Sequence, residues 1–159
     1  MLKSKAFRLI FSLAICQATG VVGSIFTVKA IPTWYAALNK PVFNPPNWIF
    51  GPVWISLYLL MGVSLYLVLS MEPKDLAVKK ALWVFAIQLV LNAIWTPLFF
   101  GAKLPLIAFI EILVLWIFIV LTIVKFKPLS KAAAYLLIPY LLWVSFASIL
   151  NGALWLLNR

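Results

Sequence analysis

Residues 105–124 read PLIAFIEILVLWIFIVLTIV, twenty residues whose single charge is Glu111. At about 1.5 Å per residue, a helix of that length covers about 30 Å, the thickness of a bilayer's hydrocarbon core. The apolar residues do not alternate with polar ones, as they would in a barrel strand of about 10 residues. Four more runs share this character: 9–28, 50–71, 81–102 and 132–158. The expected fold is therefore all-α, a bundle of five transmembrane helices forming one domain over residues 1–159.

Composition supports lipid as the main solvent. Hydrophobic residues make up 66% of the 159 and charged residues 10%, too little polarity to cover a soluble globule of this size. Disorder is excluded by the same apolar excess. The net charge is +10, but the bases lie between apolar runs. There they suit lipid headgroups and set topology, so no nucleic-acid partner is expected. Cys16 is the only cysteine, there is no histidine, and the three acids are dispersed. A metal cluster is not expected, and Ser–His or Cys–His catalysis lacks its base. The first run reads as a helix rather than a cleaved signal: its length exceeds a usual signal core, and bulky Ile15 precedes Cys16.

The connectors carry the charge. With five spans, Lys3, Lys5, Arg8, Lys74, Lys79, Lys80, Lys125, Lys127 and Lys131 share one side, against Lys29, Lys40, Lys103 and Arg159 on the other. Nine against four predicts a cytoplasmic N-terminus. The short N-terminus has no Arg/Ser-rich transit pattern, which points to a prokaryotic cell membrane. The connector near Lys103 is almost a bare turn, so the third and fourth helices should be antiparallel neighbours. The first connector, from about 29 to 47, is different: it holds Pro32, Trp34, Tyr35, Pro41, Phe43, Pro45 and Pro46. Prolines stiffen it and its rings want an apolar surface. It is expected to fold back over the bundle as a lid; the alternative is an aromatic belt at the membrane interface. An odd number of spans disfavours a transporter built from two equal halves.

Helical spacing groups the polar and aromatic residues. Gln88, Asn92, Trp95 and Phe99 share a face of the third span, and Tyr140, Trp143, Ala147, Leu150 and Asn151 share one of the fifth. Trp54, Tyr58, Met61 and Leu65 do the same on the second. Amides in hydrocarbon need partners, so these faces should point inward. Together they suit a flat, apolar, aromatic ligand, or else serve as interhelical packing. Glu111 lies within the fourth span and is either functional or a helix–helix hydrogen bond. Glu72 and Asp75 read as solvated loop acids. Ser12, Cys16, Gly20 and Ser24 form a small-residue ridge for close helix packing, in the bundle or in a dimer. Gly20 and Gly23 also leave room for a ligand. Pro52, Pro97 and Pro139 should kink or loosen their spans.

These residues resemble the translocator protein family (TspO), also called tryptophan-rich sensory proteins or peripheral-type benzodiazepine receptors. The first loop gives Trp34-Tyr35, Lys40-Pro41, Phe43, Pro45-Pro46 and Trp48, running into Gly51-Pro52-Val53-Trp54. The third span gives Gln88-Leu89, Leu91-Asn92, Trp95 and Phe99-Phe100-Gly101-Ala102, and the fifth Pro139-Tyr140-Leu141, Trp143, Phe146-Ala147 and Leu150-Asn151. Gly20, Val22-Gly23-Ser24 and Phe26 add the first helix, so the match runs in order along nearly the whole chain. The resemblance implies five transmembrane helices, often a homodimer, that bind porphyrins, isoquinoline carboxamide drugs and sterols in an intrabundle pocket under the first loop. The matching pocket positions are Ser24, Trp34, Tyr35, Trp54, Asn92, Trp95, Trp143, Ala147 and Leu150. Three departures stand out. The tyrosine of the animal sterol motif is missing from the end of the fifth span. A glycine pair used for dimer contact in some members is replaced by Trp83 and Ile87, and an animal tryptophan by Ile107.

The expected function is a membrane receptor or sensor for a tetrapyrrole, with membrane lipid and a second copy as further partners and no cofactor. In one alternative, light and oxygen degrade the bound porphyrin, with Trp54 and Trp143 as the candidate electron-rich groups. In the other, porphyrin or sterol is transported, although few strongly polar groups, Gln88, Asn92 and Glu111 among them, interrupt the spans.

Overall fold

A computed structural model describes residues 4–71 and 75–159. Lys3, Glu72 and Lys74 lie outside the described residues. Those described form helices α1 (Lys5–Ala30), α2 (Asn47–Leu69), α3 (Leu76–Thr96), α4 (Pro105–Phe126), α5 (Lys131–Leu136) and α6 (Ile138–Leu157). Wider π-helical turns extend α1 through Ile31–Tyr35 and α3 through Pro97–Gly101. With α5 and α6 taken as one segment, five helices are long and apolar enough to cross a membrane.

Local chemistry sets the boundaries. Ser4 caps α1 by accepting from the Phe7 amide, and Ser130 caps α5 by accepting from Ala133. Asp75, expected to be merely solvated, is exposed but accepts from the Ala77 amide at 2.8 Å and so caps α3. Pro46 precedes α2 in an extended conformation. Proline lacks the amide proton that an α-helix interior needs. At Pro32 and Pro97 the chain responds by widening to a π turn, and ahead of Pro139 it breaks at Leu137. Around Pro52, α2 stays continuous.

The first of these π turns corrects the expected loop. Trp34 and Tyr35 are not in an irregular connector but on a helical extension of α1. The irregular part spans only 38–46. The turn between α3 and α4 is as short as expected, with Lys103 at φ 57°, and α3 packs along α4.

Ser12, Cys16 and Gly20 of the α1 ridge pack inside the bundle, while Ser24 is exposed. Ser12 and Cys16 are fully buried, and a Cβ on Gly20 would stand 2.6 Å from the Tyr58 ring. Across the same seam, a Cβ on Gly62 would stand 2.9 Å from the Leu13 backbone. At Gly62 α1 and α2 thus meet almost backbone to backbone, while at Gly20 the Tyr58 ring occupies the room a side chain would need. At the end where α5 begins, Phe85 and Phe126 stack at 5.7 Å, and the Ser64 hydroxyl donates to the Ala133 carbonyl at 2.7 Å. A second, smaller cluster of Tyr35, Phe99, Ala108, Leu150 and Leu154 lies at the loop end.

Candidate functional site

The loop is fastened across the end of the bundle. The Tyr35 hydroxyl donates to Asn44 Oδ1 at 2.6 Å, and Lys40 Nζ lies 5.3 Å from the Tyr35 ring centre. Phe43 meets Phe146 edge-on at 6.4 Å. Asn158 holds Asn39 from both sides, accepting from its amide and donating to its carbonyl, each at 2.9 Å. Trp34 packs edge-on against Phe99 and Phe100 from the π-helical extension.

Beneath the loop lies a narrow crevice of about 30 Å³, whose walls include Tyr35, Trp54, Trp95, Trp143, Ala147 and Leu150. Six of the nine expected site residues thus converge there. Each ring is set by its neighbours. Trp54 stacks on Tyr58 at 5.4 Å, and Trp95 stacks on Phe99 at 5.1 Å while its indole N–H donates to Asn151 Oδ1. Asn151 in turn donates to the Pro105 carbonyl at 2.8 Å, tying α6 to the start of α4. Trp143 sits edge-on to Phe50 at 6.2 Å, and its indole nitrogen is buried with no hydrogen-bond partner.

Asn92 does not line the crevice; it lies in a hydrogen-bonded chain. Tyr58 donates to Asn92 Oδ1 at 2.6 Å, Asn92 Nδ2 donates to the Tyr140 hydroxyl at 2.8 Å, and Tyr140 donates to Gln88 Oε1 at 3.0 Å. This chain joins α2, α3 and α6 and satisfies the Asn92 amide and the Gln88 carbonyl, which hydrocarbon cannot. Gln88 Nε2 and both Glu111 oxygens are buried without partners, so of the two alternatives for Glu111 the interhelical hydrogen bond is not formed.

A larger cavity of about 430 Å³ opens between α1 and α2. Ser24 lines it, beside Gly20, Gly23 and Thr27. Phe50, Trp54, Trp95 and Phe100 form a wall common to this cavity and the crevice. Phe50 and Phe100 extend the expected set: Phe50 lies one turn before Trp54 on the same face of α2, a signal that helical spacing carries, and Phe100 sits in a π turn where the ordinary helical period fails.

Five apolar spans around a covered, indole-lined crevice define a multi-pass integral membrane protein. The TspO/MBR family model matches residues 12–156. The chain is 45% identical over 157 residues to the tryptophan-rich protein TspO of Chlorobaculum tepidum, covering 99% of each. It is 45% identical over 151 residues to the tryptophan-rich protein TspO of Archaeoglobus fulgidus, covering 95% of this chain and 97% of that one. With the translocator protein of Homo sapiens the identity is 40% over 136 residues, covering 84% and 80%. The chain belongs to the TspO/MBR family.

Proposed function

We propose that the protein is a membrane receptor that binds a porphyrin or a similar flat, apolar aromatic molecule in the crevice under the first loop. The observation that carries this reading is the Trp143 indole N–H, buried and unpartnered in a wall of aromatic rings. A buried donor without a partner is costly, and a ligand acceptor would satisfy it. Trp54, Trp95 and Tyr35 supply stacking surfaces, while Ala147 and Leu150 leave the space between them. Trp34 braces Phe99 and Phe100, Asn92 holds Tyr58 and Tyr140 in place, and Ser24 faces the α1–α2 side. At about 30 Å³ the crevice is too small for such a ligand, so binding requires the shared aromatic wall or the loop to move.

We also propose that the protein pairs with a second copy and that its N-terminus lies in the cytoplasm of a prokaryotic cell. Trp83 is 70% and Ile87 40% exposed, so a contact on this face of α3 would be made by large side chains. Lys5, Arg8, Lys79, Lys80, Lys125, Lys127 and Lys131 gather at the end opposite the loop, which supports the orientation.

Titration of the detergent-solubilised protein with protoporphyrin IX, followed by tryptophan quenching in darkness and then under light, tests the function. Saturable quenching that weakens in Trp143→Phe supports it. Binding equal to that of an unrelated membrane protein overturns it. Loss of the porphyrin bands only with protein and light would replace the receptor with a degrading enzyme.

A further inference from the structure

We infer that the open end of the α3–α4 hairpin is a binding site for an anionic phospholipid, its phosphate between Lys80 and Lys125 and an acyl chain along the outer seam of the two helices. The register follows from the fold. The helices run antiparallel from the turn at Lys103, and Lys80 and Lys125 stand almost equally far from that turn along the chain. Phe85 stacked on Phe126 at 5.7 Å ties the two helices together at this end. From Lys80 the same face of α3 continues through Val84 and Leu91, and from Lys125 the same face of α4 runs back through Leu121 and Val114. Leu121 and Val114 are 39% and 40% exposed, and Val84 and Leu91 are half-buried. Rows of half-buried apolar residues on adjacent membrane-spanning helices form a shallow furrow open to hydrocarbon, and this one ends at two cations.

Charge selects the occupant. Lys79, Lys80, Lys125 and Lys127 are exposed, and among the described residues no ion pair holds any of them. Asp75, the only acid described at this end, serves as the α3 cap by accepting from the Ala77 amide. At the loop end, by contrast, Lys40 donates to the Ala36 and Leu38 carbonyls. Ammonium groups brought to one level with no acid between them repel, and a phosphate removes that repulsion while attracting each of them. A zwitterionic headgroup carries its own ammonium to the same place and loses most of this gain. A soluble anion satisfies the lysines but makes no use of the furrow. An anionic phospholipid uses both. Seated there, it covers the outside of the Phe85–Phe126 pair and adds to the packed end of the bundle, away from the crevice.

The site is tested with lipid alone, so its failure is separate from any failure of porphyrin binding. The full chain is placed in phosphatidylcholine nanodiscs doped with phosphatidylglycerol that carries a photoactivatable diazirine at mid-chain. A phosphatidylcholine probe of the same build is the reference, and adducts are mapped by mass spectrometry after irradiation. Peptides 84–91 and 114–121 should carry about tenfold more adduct from the anionic probe than from the reference. Leu142 and Ile149, each 64% exposed on α6, should show no such preference. Lys80→Gln combined with Lys125→Gln should abolish the excess with an unchanged melting temperature, since both side chains are exposed. Lys80→Arg with Lys125→Arg keeps the charge and should keep the excess. Lys5→Gln with Lys131→Gln removes equal charge from other helices at this end and should also leave it. Equal loss in the two glutamine double variants, or a preference spread over every helix, would reduce the attraction to a diffuse field and overturn the site. An excess that disappears when inorganic phosphate replaces chloride at constant ionic strength would assign the lysines to a free anion and overturn it too.

Discussion

The two ends of the bundle use the same helices differently. Where α5 begins, Phe85 stacks flat on Phe126, Ala81 and Ala133 are fully buried, and Ser64 bonds across to the α5 backbone. At the loop end Trp95 stacks on Phe99 and Trp54 on Tyr58, but the other rings meet edge-on or tilted, two cavities open among them, and a buried indole N–H has no partner. Side chains that fill space stabilise; rings held apart leave room. The difference assigns stability to one end and recognition to the other, with the Tyr58–Asn92–Tyr140–Gln88 chain between them.

Substitutions can break that division. The largest effect is expected for Phe85→Ala, which removes a fully buried ring from the packed end and should cost about 3–5 kcal/mol. It would be read as a fall in melting temperature of the detergent-solubilised protein. Gly62→Val comes next. Its side chain would enter the Leu13 backbone, and over-packing of this kind costs about 1–3 kcal/mol in the same assay. Trp143→Phe at the loop end should cost about 1 kcal/mol of stability, because a six-membered aromatic ring remains, and the N–H that is lost with the fused five-membered ring had no partner. It should still weaken porphyrin binding about tenfold, the equivalent of about 1.4 kcal/mol. The smallest effect is expected for Ser64→Ala, about 0.6 kcal/mol, typical of interhelical hydrogen bonds in membranes. A Trp143→Phe protein that melts as early as Phe85→Ala would erase the distinction between the ends.

Much of this organisation is legible in the residues themselves. Long apolar runs announce helices because a bilayer leaves the backbone no other way to satisfy its hydrogen bonds within one segment. The face of Trp54, Tyr58, Met61 and Leu65 is legible because α2 keeps its period through Pro52. Elsewhere the period shifts. The π turn after Ala30 keeps Trp34 and Tyr35 on a helix despite Pro32, and the π turn at Pro97 brings Phe100 to the shared wall. Spacing rules built on the α-helix cannot anticipate either. Asn92 was legible as an inward amide, but its partners Tyr58 and Tyr140 come from other helices, and a one-dimensional pattern does not pair helices. The α1–α2 cavity was hardest to foresee. It depends on where side chains are missing, and the glycines that close the seam at Tyr58 also line the opening beside it.

The central claim is that ligand engages the loop end and leaves the packed end alone. Hydrogen–deuterium exchange of the reconstituted protein, with and without protoporphyrin IX, tests it most directly. The account predicts added protection in the two π turns, Ile31–Tyr35 and Pro97–Gly101, and in the connector 38–46, with no change around Phe85 and Phe126. Equal protection at both ends, or protection confined to the packed end, would contradict it.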